Sequence, residues 1–154
     1  MRRQEKFPST NIFHYFNANP KDKITTDCVV RAIAIALCAD KIGSGENWGK
    51  LIKQKWGVVL ESLVQNSIKT GYMYDDTTGY TKFIEDHYGF IKHKQPRHED
   101  GTKFTVREFI ADHPKGVYLV YMPSHMTVVI NGVAYDIWDV TKSHTRVGNY
   151  WEKP

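Results

Sequence analysis

Cys28, His125 and Asp136 are the side chains of this sequence whose types and spacing could do covalent chemistry. The stretch TTDCVVRAIAIAL, Thr25 to Leu37, reads as a helix with Thr25 or Thr26 as N-cap, Asp27 near the positive end of its dipole and Cys28 in its first turn. Free N–H groups and the dipole lower a cysteine's pKa there, and the thiolate is the nucleophilic form. Against this stands the ordinary habit of free cysteine, which is to be a small buried hydrophobe. Cys38, in the apolar body of the same helix, fits that description. What decides Cys28 is whether the chain brings it a histidine and a carboxylate.

The C-terminal third supplies both. VYLVYM, MTVVI and VAYDIWDV are rich in β-branched and aromatic residues, are interrupted by Pro123 and Ser124 and by Asn131-Gly132, and read as three antiparallel strands. A two-residue turn at Asn131-Gly132 pairs Ile130 with Val133 and fixes the register outward. Met126, Val128, Ile130, Val133, Tyr135 and Ile137 then form a core face. His125, Thr127, Val129, Ala134, Asp136 and Trp138 share the other face. His125 stands opposite Trp138 and diagonal to Asp136, roughly 7 to 8 Å away at Cα and within reach of two polar side chains. Asp139 is the alternative carboxylate, available if a bulge shifts the second strand by one residue. Both groups could instead be solvated. The other six histidines lie in loops, helix ends or polar stretches, and only His144, near the sheet, is kept as a distant substitute.

The elements that must position these groups follow from the pattern. From Val29 to Ala39 only Arg31 is neither apolar nor small, so this helix is covered on several sides. Residues 1–20 read as a charged N-terminal extension whose Phe13, Tyr15 and Phe16 pack on the core. Glu46 to Lys55 reads as a short helix closed by Gly57, and Val58 to Lys69 as a further stretch capped by Gly71. Asp75 and Asp76 read as a cap or turn ahead of a helix over Tyr80 to Tyr88, a reading preferred to a metal pair. Phe90 to His93 is a candidate strand. Thr105 and Glu108 form a capping box for a helix ended by Pro114 and Gly116. Tyr150 and Trp151 dock the tail, as one more short strand if they pair.

At 154 residues the expectation is one α+β domain spanning 1–154, with the cysteine helix packed on a C-terminal antiparallel sheet. No run reaches the roughly 18 apolar residues of a membrane span, and no apolar stretch follows MRRQEKFPST to make a signal peptide, so the expected location is the cytoplasm. The two cysteines lie about 15 Å apart along a helix, beyond disulfide reach. A net charge of +4 spread along the chain ranks nucleic-acid binding low. No metal or cofactor motif is present.

Asp27-Cys28 opening a buried helix, Ser124-His125 entering a strand and Asp136 on the next strand resemble the papain-like cysteine peptidases. The likeness is closer to their compact bacterial branch, the double-glycine peptidases that trim bacteriocin leaders. The whole sequence also resembles phage and prophage proteins. The resemblance implies a papain-like fold and a thiol protease mechanism. Cys28 attacks a carbonyl carbon, His125 takes and returns the proton, Asp136 orients the imidazole, and the Cys28 backbone N–H helps bind the oxyanion. The family carries a glutamine about six residues before the cysteine, where this chain has Asp22, and a glycine after it, where this chain has Val29. Asn19, the nearest upstream amide, is the candidate oxyanion donor, with a turn role before Pro20 as its alternative.

The leading expectation is a cysteine hydrolase acting on a peptide or isopeptide-type amide of a peptide or protein substrate, a host protein among the candidates. Acyl transfer by the same residues is open. The alternative from another class is a phage-encoded binding protein that keeps the fold without turnover. Arg31, one turn beyond Cys28, either biases the thiol and recognises a substrate carboxylate or pairs with Asp27. Trp138 either shields the imidazole from water or is core.

Overall fold

The computed structural model describes all 154 residues, Met1 to Pro154. The chain is α+β, with five helices and a mixed six-stranded sheet. The helices are α1 (Arg3–Lys6), α2 (Cys28–Leu37), α3 (Trp48–Thr70), α4 (Thr77–Tyr88) and α5 (Val106–Asp112). The strands are β1 (Phe13–Tyr15), β2 (Ile91–His93), β3 (Val117–Met122), β4 (His125–Ile130), β5 (Val133–Asp136) and β6 (Tyr150–Glu152), in the spatial order β1-β5-β4-β3-β6-β2. No helix is long and apolar enough to cross a membrane.

The centre of the sheet is the hairpin the sequence predicts. Ile130 pairs with Val133, Val129 with Ala134 and Val128 with Tyr135. Asn131 and Gly132 both take positive φ, 48° and 78°, as a tight turn matched to the strand twist requires. The turn between β3 and β4 is equally short. Met122 pairs with His125 across Pro123 and Ser124, and Ser124 sits at φ 60°, a left-handed conformation rarely taken outside glycine. His125 is thus the first residue after a fixed corner.

The C-terminal strands led to the expectation of an antiparallel sheet, but the sheet is mixed. β1 pairs in parallel with β5, Phe13 opposite Ala134 and Tyr15 opposite Asp136, so the N-terminal segment is an edge strand of the sheet. Nor is one face left polar. One core gathers Val30, Ile33 and Ile35 of α2 with α3, α4 and the sheet residues Leu119, Met126, Val128 and Ile130. A second core on the opposite face holds Phe13, Phe109, Val120, Val129 and Ala134. Each fully buried aliphatic side chain there contributes roughly 1.5 to 3 kcal/mol. Val129 and Ala134, placed by alternation on the face of His125 and Asp136, are fully buried because Phe104, Phe109 of α5, Val140 and Val147 pack with them.

Three helices differ from expectation in their bounds, for local reasons. The segments on either side of Gly57 form one 23-residue helix, α3, from an Asn47 N-cap to the left-handed C-cap Gly71. Gly57 does not close it, since Ile52, Val59 and Leu63 keep one buried face across the glycine. α2 begins at Cys28 with Asp27, not Thr25 or Thr26, in the N-cap position, and no side chain caps it. α4 starts at Thr77, three residues earlier than read, with Asp76 accepting from the Thr78 N–H as its cap. The capping box of Thr105 and Glu108 opens α5 as expected.

Candidate active site

α2 runs against β4 and delivers its first residue to the start of that strand. There Cys28, His125 and Met126 line one cavity, and the imidazole and the Met126 backbone N–H act on the thiol to lower its pKa. The far side of the imidazole is held by β5, with His125 Nε2 2.7 Å from Asp136 Oδ2. Since Nε2 faces the carboxylate, Nδ1 is the nitrogen left for the thiol. The other Asp136 oxygen accepts from the Ile137 N–H at 2.8 Å, which fixes the carboxylate in the plane of the sheet end. The Trp138 ring lies 5.2 Å from the His125 ring, and the histidine side chain is 13% exposed. This covers the imidazole and its bond to Asp136 from solvent.

The local electrostatics favour a charged pair. Burial raises the Cys28 pKa, but the His125 and Met126 hydrogen bonds and the nearby positive charges of His125 and Arg31 outweigh it, and the thiol is lowered. Burial likewise opposes charge on His125. Its bonds to Asp136 and Cys28 and their negative charges prevail, and its pKa is pushed up to about 9. Thiolate and imidazolium are the mutually stabilised forms.

The uncapped helix start is a consequence of where Asp27 points. Its carboxylate, 4% exposed, turns from the helix to take Arg31, the Asn19 amide at 3.2 Å and the Trp56 indole N–H at 2.9 Å. The backbone N–H groups of Cys28 and Val29 are consequently free of protein acceptors, a ready site for an anion. Arg31 is buried between Asp27 and Asp136, 3.7 Å from the latter, and bonds the Thr25 carbonyl. Its reading as a receptor for a substrate carboxylate is therefore corrected. It pairs with Asp27, and it links the cysteine helix to the carboxylate of His125. Trp56 was not singled out in the sequence; a tryptophan within an amphipathic helix gives no sign that its N–H reaches a carboxylate.

The remaining sequence candidates are placed elsewhere. Asn19 uses its amide on Asp27 and its carbonyl on the Lys21 and Lys23 N–H groups, and it does not line the cavity at Cys28. Asp22 points outward to Lys53 at 2.7 Å. Asp139 caps the short 3-10 turn Val140–Lys142 through the Thr141 N–H and hydroxyl, so it is not the partner of His125. His144 is exposed and lies outside the cavity. No group of three or more His, Cys, Asp or Glu side chains is disposed to hold a metal ion.

Cys28 and His125 open into a cavity of about 360 Å³ lined also by Val29, Met126, Tyr80 and Tyr121, with the hydroxyl side chains Thr26, Thr77 and Ser124 and the carboxylate of Asp75 at its edges. Tyr80 is buried and is pushed up to about 12, chiefly by burial, so it stays a neutral hydroxyl. No protein-family model, curated protein or solved structure matches the chain.

Proposed function

We propose that this chain is a cysteine hydrolase of papain-like architecture, cleaving a peptide or isopeptide-type amide through an acyl-thioester. The observation that carries it is Cys28 sharing a cavity with an imidazole whose Nε2 is held by the buried Asp136. The Cys28 sulfur forms a bond to the carbonyl carbon, and the oxyanion forms beside the free N–H groups of Cys28 and Val29. Collapse breaks the C–N bond as His125 passes its proton to the departing amine. Water, deprotonated by His125, then attacks the thioester and releases the acid and the thiolate. An amine taking the place of water would make the same site an acyl transferase. Two free thiols suit the reducing cytoplasm, and the substrate is a peptide or protein.

A second reading, a phage-type binding protein without turnover, is favoured by one observation. Asn19 is spent on Asp27 and Asp22 on Lys53, so neither upstream side chain serves as the second oxyanion donor. Alkylation of Cys28 by iodoacetamide from about pH 5 to about pH 10, read by mass spectrometry, separates the two. The hydrolase requires reaction well below the ordinary thiol pKa of about 8.5 and an upward shift of the profile in His125→Ala. An inert Cys28, or one that titrates as an ordinary thiol whatever occupies position 125, rejects the hydrolase.

A further inference from the structure

We infer that the cavity beside Cys28 selects a cationic side chain on the acyl portion of its substrate, through Asp75; this rests on the hydrolase function proposed above. The charges that line the cavity are those of Cys28, His125 and Asp75. Thiolate and imidazolium are adjacent and of opposite sign, so their fields largely cancel at the distance of a substrate side chain. Asp75 is left as the net charge of the cleft. It has no hydrogen-bond or ion-pair partner, whereas its neighbour Asp76 is committed to capping α4. The protein as a whole carries net charge +4, so a negative cleft runs against its own surface.

The walls match the same ligand chemistry. Tyr80 and Tyr121 line the cavity, and an ammonium or guanidinium is attracted to aromatic rings as well as to a carboxylate. Val29 and Met126 offer apolar surface for the methylene stem of lysine or arginine. A volume of about 360 Å³ accommodates a long side chain beside the scissile carbonyl.

Asp75 is also held in place. The Asp76 N–H donates to the Met73 carbonyl at 2.9 Å, closing a turn around Asp75. That turn lies directly on α4 at Gly79, where a Cβ would come within 3.0 Å of the Met73 carbonyl oxygen. The carboxylate is thus carried by a packed turn at the mouth of the cavity.

The test uses thiol-directed chloromethyl ketones of lysine, norleucine and glutamate on the full-length wild type, Asp75→Asn and Asp75→Lys, with iodoacetamide as a reagent that has no side chain. Asp75 is exposed, so both variants should fold. The expected result is labelling of Cys28 by the lysyl reagent roughly five- to tenfold faster than by the norleucyl one. Asp75→Asn should abolish the difference, Asp75→Lys should favour the glutamyl reagent, and raising the salt concentration should shrink the wild-type preference. Equal rates for all three reagents, with Cys28 still alkylated by iodoacetamide at low pH, overturn the role of Asp75 and leave the hydrolase standing. Failure of every reagent, iodoacetamide included, overturns the hydrolase and the specificity together.

Discussion

Cys28 and Cys38 bracket one helix, and the contrast between them shows how surroundings move the pKa of a thiol in opposite directions. Cys38 sits at the C-cap of α2, 6% exposed, and its pKa is raised by burial, which outweighs the opposing charge of Lys55. Cys28 also has burial against ionisation, but it meets a protonated imidazole, a backbone N–H and Arg31, and the balance falls the other way. The helix dipole adds to the difference, positive at the Cys28 end and negative at the Cys38 end. Burial alone raises a thiol's pKa; burial with aimed donors lowers it.

The largest expected effect is on relative reactivity within one molecule. At neutral pH in the native state, iodoacetamide should modify Cys28 on the order of a thousandfold faster than Cys38, because thiolate fraction and access act together. In strong denaturant the two should react alike. Native labelling at equal rates would mean that α2 does not distinguish its ends, and the site would lose its basis.

Next in size is Arg31→Met. Arg31 is buried against Asp27 and Asp136, and removing one member of a buried ionic group leaves uncompensated charge, at a cost of roughly 3 kcal/mol or more. Urea unfolding measures it. The same variant should move the Cys28 alkylation profile to higher pH and leave Cys38 unchanged, so a loss of stability with no change at Cys28 would make Arg31 structural only.

How much of this was legible depends on which forces fixed each part. The hairpin register followed from two turn residues and strict alternation, and it correctly put Asp136 within reach of His125. The capping box at Thr105 was legible because its partners are three residues apart. The Asp27 network was not. Asn19, Trp56 and Arg31 converge on one carboxylate from three elements, and no local pattern encodes that meeting. The cover over the second sheet face escaped for a similar reason, since it depends on α5 and the segments of Val140 and Val147 arriving from distant parts of the chain. Gly57 misled because a glycine's helix penalty is small beside the burial of Ile52, Val59 and Leu63.

The third prediction concerns pH and stability, with a sign for each group. His125, raised to about 9 from an ordinary value of about 6.5, contributes stability that is full below about pH 6.5 and is lost as pH rises through about 9. Cys28, lowered, contributes stability that is present above its ordinary value and is lost as pH falls through its folded value. Asp136→Asn removes the main group raising the histidine. Over that window the two contributions oppose each other in the wild type, so the comparison is made in Cys28→Ser, whose fall in stability above about pH 6.5 should flatten when Asp136→Asn is added. An unchanged slope would mean that Asp136 does not hold the imidazolium.

The smallest expected effect separates helix stability from thiol activation. Gly57 lies in the interior of α3, directly after Trp56, and a Cβ built there meets nothing within 4 Å. Alanine relieves the entropic penalty of a glycine in a helix, so Gly57→Ala should stabilise the protein by roughly 0.5 to 1 kcal/mol in urea unfolding. Trp56 holds Asp27 through its indole N–H, yet this bond is already formed in the native state, so a firmer α3 adds nothing to it. The ratio of Cys28 to Cys38 alkylation in the native protein should therefore stay as it is. Loss of stability would show that the helix breaks at Gly57 after all. A changed ratio with a gain in stability would show that the Cys28 end of α2 depends on how tightly α3 is wound, beyond the three side chains that grip Asp27.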